Sequence, residues 1–385
     1  MPSTSTRSRV RKTEHWFVGD GTPTMIEGYG FDSHVLPRML PALGLVTLAS
    51  LAWLVPLKSA GAQRWYLLAV VLGATVATWV ALRLVVRRLP RLSRPARVLV
   101  LVVYAVMPVA VPLLQLVVDD TVTPPAGSAV GLLGFVIFFA AVFAGTLLAT
   151  TYGLGRLLRR AVRHTVYDLR NSVQLLGRAL PAMLFVTLFL FFTGELWQAM
   201  NNFAWWRLTL VVVLFGAITV LAAAARLRDE TGRVEQELSP ERLTAACLGT
   251  PLAGVAITEP LRPTPLTGRQ NRNLLLMLAT RQLVQAALVG LALFAFFLVL
   301  GLLVVTPETA EQWIGSPPNY SKWLPAIPTA MLRNATLFAA FGSMYFAITS
   351  MSDADHRKQF FAPIIDEVER TLAVRAVYLS LRDRA

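Results

Sequence analysis

The sequence is short of charge, of lysine and of cysteine. Only 15% of its 385 residues are Asp, Glu, Lys or Arg, against ~25% in an average soluble domain, too few to cover a water-soluble protein of this length with polar surface. The single cysteine, Cys247, excludes an intramolecular disulfide and a cysteine-based zinc cluster. The four histidines, His15, His34, His164 and His356, fall in no HExxH or other metal-ligand spacing, and there is no Walker A loop. No metal and no cofactor is therefore expected. The first 34 residues carry Arg7, Arg9, Arg11, Lys12, Glu14, Asp20, Glu27 and Asp32 and lack the short basic region and small-residue cleavage site of a secretory signal. They are expected to stay on the protein.

What is present is apolar and basic. Hydrophobic residues make up 55% of the chain, with a mean hydropathy of +0.56, a pI near 10.8 and a net charge of +14. This composition points to a basic membrane protein and away from a disordered chain or an ordinary cytosolic enzyme. Eight stretches approach the ~20 apolar residues that a helix needs to cross a bilayer: Met39–Leu57, Tyr66–Leu84, Val98–Val118, Ala129–Thr150, Leu180–Met200, Leu208–Ala225, Leu283–Val305 and Ala326–Ser350. The expected fold class is all-α, a polytopic membrane helix bundle of about eight transmembrane helices with a layer of cytosolic amphipathic helices.

Orientation follows from the connecting segments. Their Lys+Arg content alternates between five to eight and two or fewer along the chain, with Arg83 counted in the segment that follows it, and cationic segments are retained on the cytoplasmic side. An even number of spans then places both termini in the cytoplasm of a plasma-membrane protein. Trp53, Trp65, Trp197, Trp205, Trp206, Trp313 and Trp323 fall near the opposite, outer interface, where amphipathic rings are favoured. Five segments result: residues 1–38, cytosolic; 39–225, six spans with a basic amphipathic helix at 154–178; 226–282, a cytosolic helical insertion; 283–350, the last two spans; and 351–385, a cytosolic amphipathic helix.

In the helix at 154–178, Leu158, Val162, Thr165, Leu169, Val173 and Leu176 recur every three or four residues, while Arg156, Arg159, Arg160, Arg163 and Arg170 fill the other faces. Such a helix either lies on anionic inner-leaflet lipid or packs beneath the bundle with a solvated basic face. Ser239, Pro240 and Gly249 bracket a short helix, and Pro260, Pro263, Pro265 and Gly268 mark a connector, after which Arg269–Val305 reads as one 37-residue helix. Ile365, Val368, Leu372, Ala376 and Leu379 form an apolar stripe on a helix beginning near Pro363.

Ionisable residues inside a span are costly unless paired or hydrated, so Glu195 in the fifth span and Arg333 in the eighth stand out. Both lie within two turns of the same expected surface. They are expected to meet, or to share a polar cavity with Asn201, Asn202 and Asn334, as a structural ion pair or as a substrate or ion site. Pro108 and Pro112 are expected to kink the third span, either as a plain bend or as an interrupted helix lining a transport site. Gly131, Gly134 and Gly145, with Gly290 and Gly301, are read as close-packing positions. Asp353, Asp355 and His356 read as helix caps or as an acid–base or metal cluster. Between Trp16 and His34, the apolar and aromatic residues Trp16, Phe17, Ile26 and Tyr29 are interspersed with Gly19, Gly21, Gly28 and Gly30. That mixture argues against a long regular helix and for a cytosolic hook or a lid over a vestibule.

The segments HWFVGDGTPTMIEGY, LPRMLP, GRALPAMLFVTLFLFFTGELWQ and YFAITSMSDADHRKQFFAPIIDEVERTLAVRAVYLSL resemble a family of uncharacterised actinobacterial polytopic integral membrane proteins, and 32 Arg against 4 Lys fits a high-GC genome. The resemblance implies a membrane topology and marks Trp16, Gly19, Pro23, Glu195 and Trp197 as family-like positions; it carries no activity with it. From the residues, the first functional reading is a transporter or channel with a polar site between spans five and eight. The alternative is a membrane scaffold or assembly subunit that holds partner proteins or anionic lipids through its cytosolic helices. A third reading is a lipid-modifying membrane enzyme. The expected partners are the lipid bilayer, its anionic inner-leaflet lipids, and a second copy of the chain or a partner membrane subunit. Nucleic acid is not expected, because positive-inside bias accounts for the basic segments.

Overall fold

The computed structural model describes residues 4–51, 94–118, 129–165, 187–236, 240–255, 265–320, 325–352 and 362–383, together with positions 73, 76, 77 and 80. Most of the second expected span, the end of the first and the start of the fifth lie outside the described residues, as do 166–178, Ser239, Pro260, Pro263, Asp353, Asp355 and His356. The described residues are all-helical, with one isolated antiparallel bridge between Tyr320 and Pro328. The longer helices are α1 (Thr4–Asp20), α2 (Leu36–Leu51), α3 (Arg94–Val118), α4 (Ala129–Thr151), α5 (154–165), α6 (Gly194–Asn201), α7 (Trp205–Gln236), α8 (Pro240–Ala246), α9 (Gly268–Val304), α10 (Pro307–Ile314), α11 (Thr329–Ser352) and α12 (Ala362–Asp383).

Four of these are long and apolar enough to cross a membrane: α3, α4, α7 and α9. Arg333, Asn334 and several hydroxyl residues keep the 24-residue α11 out of that set. The chain divides into two compact units, residues 26–155 and residues 1–25 with 156–385. The division falls inside the expected six-span region.

The first unit holds α2, α3 and α4. Their shared core is Val35, Met39, Leu43, Tyr104 and Phe139. The Tyr104 hydroxyl donates to the Phe139 carbonyl at 2.8 Å, giving a buried phenol the partner it needs. Pro108 and Pro112 both lie within α3, and the helix runs through them uninterrupted. Gly134 and Gly145 on α4 face open space among the described residues, so neither brings helices together there.

The second unit is organised by α9, whose 37 residues, Gly268–Val304, match the length and position read from the sequence. Its start is fixed by a capping box: Gln270 N donates to Thr267 Oγ1, and Thr267 N donates to Gln270 Oε1 at 3.0 Å. α9 packs antiparallel to α11. Near one end a side chain on Gly301 would collide with Met331; toward the other, a Cβ on Gly290 would lie 3.2 Å from Ser343 and 3.3 Å from the Ala339 carbonyl. Small residues therefore set this approach, as at helix contacts in membranes. α7 completes the bundle, with Phe215 against Phe341 at 6.1 Å.

Trp16 and Phe17 lie in a regular helix that ends at Asp20, so the irregular backbone expected from Trp16 onward begins only at Gly21. Gly21 has φ +87° and faces the Leu157 side chain, where any Cβ would collide. Asn273 then donates to the Gly21 carbonyl at 3.2 Å, and Thr24 donates to Asn273 Oδ1 at 2.8 Å. These bonds fasten the end of α1 to the foot of α9. Phe17 packs edge-on against Tyr378 of α12, whose hydroxyl donates to Glu14 at 3.1 Å. Ile26 and Tyr29 belong to the other unit, so the four residues read as one hook are divided between the two.

Candidate functional site

Glu195 and Arg333 both attach to the short helix α6, and they do so at opposite ends. The fifth expected span is interrupted: a helical stretch at 187–191 stops at Phe192–Thr193, and α6 restarts with Thr193 as its N-cap. The apolar run ends at Phe192, where Thr193, Gly194 and Glu195 follow, although Leu196 and Trp197 resume it within the expected span. An interrupted helix frees main-chain groups that must find partners. Here the chain supplies them: Phe192 N donates to the Phe189 carbonyl, Thr193 N and its hydroxyl to the Leu190 carbonyl, and the Trp197 indole to the Phe191 carbonyl at 2.7 Å.

Glu195 falls in the first turn of α6, where a carboxylate complements the positive end of the helix dipole. It is exposed and forms no ion pair among the described residues. Arg333 reaches the other end, donating from Nη1 to the Met200 and Asn201 carbonyls at 2.7 Å each. Its guanidinium carbon also lies 5.2 Å from the centre of the Trp205 ring. The two charges therefore do not meet. Their depths were compatible, but the unpaired carbonyls at the end of α6 offer Arg333 a closer partner than Glu195 does.

The asparagines separate. Asn201 is buried; its Oδ1 accepts from Asn319 N at 3.3 Å and its carbonyl from Asn319 Nδ2 at 3.4 Å. Asn202 is exposed. Asn334 is fully buried, and neither amide atom has a hydrogen-bond partner among the described residues. Around these groups lies a closed aromatic core of Phe191, Trp197, Phe297 and Phe338, with Phe191 stacked on Phe297 at 5.2 Å and Trp197 edge-on to Trp313 at 5.4 Å. Asn319 and Trp205 are the partners that sequence reasoning missed; Asn319 comes from the α10–α11 connection and Trp205 from the first turn of α7, and the fold brings them to Asn201 and Arg333.

The opposite end of the same bundle is charged. Arg160 on α5 pairs with Asp20, the last residue of α1, and its Nε lies 2.7 Å from Glu367 on α12. Glu367 also accepts from Arg281 of α9 at 2.5 Å. Four helices are thus tied by one alternating series, Asp20–Arg160–Glu367–Arg281. His164, one turn beyond Arg160, has its pKa held below the usual histidine value by burial first and then by Arg281. Gln282 donates to the Ala347 carbonyl at 3.0 Å and to Ser350 at 2.9 Å, adding α11 to this end.

Two cavities lie among the described residues of these helices. An open one of about 460 Å³ lies beside α8 and α12 and is lined by Leu248, Asp366, Glu369 and Arg370. The other, about 580 Å³ and almost wholly apolar, lies between α2 and α4 at Val46, Ser50, Gly131, Phe135 and Phe138. Among the described residues no three His, Cys, Asp or Glu side chains gather as a metal site. Compared with protein-family models, with curated proteins and with solved structures, the chain matches none. The geometry alone carries the functional argument.

Proposed function

We propose that this chain is a multi-pass membrane protein whose role is structural, a scaffold or assembly subunit, and that the end of its bundle formed by α1, α5, the foot of α9 and α12 is the docking layer. The observation that carries the reading is the fate of the polar groups at the aromatic end. Arg333 is spent on two main-chain carbonyls, the carbonyls at the break accept from Phe192, Thr193 and Trp197, and Asn201 is joined to Asn319. A transport site needs polar groups left open to a solute; these are closed by intramolecular bonds and surrounded by packed aromatic rings. Lys/Arg bias supports a plasma-membrane location with the charged end, and both termini, on the cytoplasmic side.

Transport keeps one supporting observation, the buried Asn334 with both amide atoms unpartnered, because unsatisfied polar groups inside an apolar bundle mark ion and substrate paths. Flux of protons, alkali cations and small anions through liposomes containing the native protein or Asn334→Leu separates the two. The scaffold reading expects no protein-dependent flux from either. Flux that Asn334→Leu abolishes would assign the protein to transport. Carboxyl-directed cross-linking in native membranes supplies the positive arm, with a defined partner expected at Asp366 or Glu369.

A further inference from the structure

The helix α5 divides its arginines into two kinds. Arg156 donates to the Val18 carbonyl and Arg160 belongs to the charge series, so both serve the fold. Arg159 and Arg163 are exposed and form no hydrogen bond or ion pair among the described residues. Burial divides the helix the same way. Leu157, Ala161 and Thr165 are buried, whereas Leu158 and Val162 are 51% and 44% exposed.

At about 100° per residue, Leu158 and Val162 occupy one half of the exposed arc and Arg159 and Arg163 the adjoining half. An apolar pair beside a cationic pair on one uncovered face is the arrangement of a helix lying in a membrane interface, with aliphatic side chains among acyl chains and guanidinium groups among phosphates. The chain places this helix near such a surface. α4, which contains an apolar stretch at Gly131–Thr151 long enough to cross a membrane, ends three residues before α5 begins, a reach of at most about 11 Å.

We infer that Arg159 and Arg163, with Leu158 and Val162, form a binding site for the headgroups of anionic phospholipids. The inference rests on the membrane reading above and is independent of whether the protein docks partners or moves solutes. Arginine suits this task because its planar fork donates two parallel hydrogen bonds to one phosphate. A protein partner of the same face would need acidic groups to meet the arginines; the continuity of α5 with α4 favours lipid.

The test uses the full chain, solubilised from vesicles of equal phosphatidylglycerol and phosphatidylcholine, with the retained lipids counted by native mass spectrometry. Native protein is expected to keep phosphatidylglycerol in preference to phosphatidylcholine. Arg159→Gln with Arg163→Gln should lower that preference about tenfold, Arg159→Lys with Arg163→Lys should keep most of it, and Arg7→Gln with Arg11→Gln on α1 should leave it nearly unchanged. Unaltered helicity and elution volume of the glutamine variant confirm that the fold is intact; an unfolded variant passes the question to Leu158→Ser with Val162→Ser, which should also reduce retention. Equal retention of both lipids by native protein overturns the inference, as does a preference that survives the glutamine pair in folded protein. Loss of a co-purified acidic protein, with lipid retention unchanged, would assign the face to that protein instead. Flux and cross-linking results do not enter this readout, so it can fail while the scaffold reading stands, and the reverse.

Discussion

The guanidinium of Arg333 lies 2.7 Å from the carbonyl oxygen of Met200, at the end of an eight-residue helix whose first turn carries Glu195. Acid and base thus address the two poles of one helix dipole, so each is expected to act alone. In a double-mutant cycle on unfolding, Glu195→Gln should cost under about 1 kcal/mol and Arg333→Gln about 1.5–3 kcal/mol. The two effects should add to within about 0.5 kcal/mol. A coupling well above that would mean that the side chains meet after all.

Glu367 holds two arginines from different helices. Glu367→Gln removes the anion shared by Arg160 and Arg281 and leaves the Asp20–Arg160 pair between α1 and α5. A loss of about 3 kcal/mol is expected, on the scale of breaking a buried ion pair. Thermal unfolding in detergent should shift downward accordingly, and Arg281→Met introduced with Glu367→Leu should recover much of the loss.

His164 gives a pH dependence whose sign is fixed. Its folded pKa is held down by burial and by Arg281, so between that value and its unfolded pKa near ~6.5 the unfolded chain binds the extra proton. Stability should therefore fall as pH drops through about 6.5 and level off once pH passes below the folded pKa. His164→Gln is expected to flatten that part of the curve. Chemical denaturation from pH 7.5 to pH 5 reads it directly, and an unchanged slope in the variant would exclude His164 as the source.

Cys247 is 3% exposed, and burial pushes its thiol up to about 11, with Arg370 opposing the shift. At neutral pH it is a protonated, inaccessible thiol and a poor nucleophile. Maleimide should label it slowly in folded protein and rapidly after denaturation. Arg370→Ala, which removes the opposing charge and the bond to the Leu248 carbonyl, tests whether access or ionisation limits the rate: faster labelling points to access, slower labelling to ionisation.

Periodicity and length were legible where one segment decides its own structure. The 37 residues of α9 follow from an unbroken apolar run after a proline-rich connector, and Gly249 sits in the left-handed turn that its place after α8 suggests. The Thr267–Gln270 capping box was readable as a T-x-x-Q pattern and went unread. Relations between segments were less accessible. Hydropathy gives depth in a bilayer but not azimuth, so Glu195 and Arg333 could be set at similar levels while the carbonyls that capture Arg333 stayed invisible. The break at Phe192–Thr193 was not legible either, and the Phe189, Leu190 and Phe191 carbonyls it frees are met by neighbouring amides, a hydroxyl and an indole that hydropathy does not register. Glycines divide similarly: Gly290 and Gly301 lie against α11, whereas Gly145 meets nothing described. Composition alone could not distinguish them.

The bond from Tyr378 to Glu14 joins positions 364 residues apart, and the Asp20–Arg160–Glu367 series closes a similar span. At the ~5–20 residues per second of protein synthesis, the first helix leaves the ribosome roughly 20–70 s before its final partner exists. During that interval Glu14 and Phe17 have none of their α12 contacts, and the emergence of α12 is the event that supplies them. A chain cut short anywhere before Glu367 would present an unfinished N-terminal helix, a form that chaperones and proteases can tell from the finished protein.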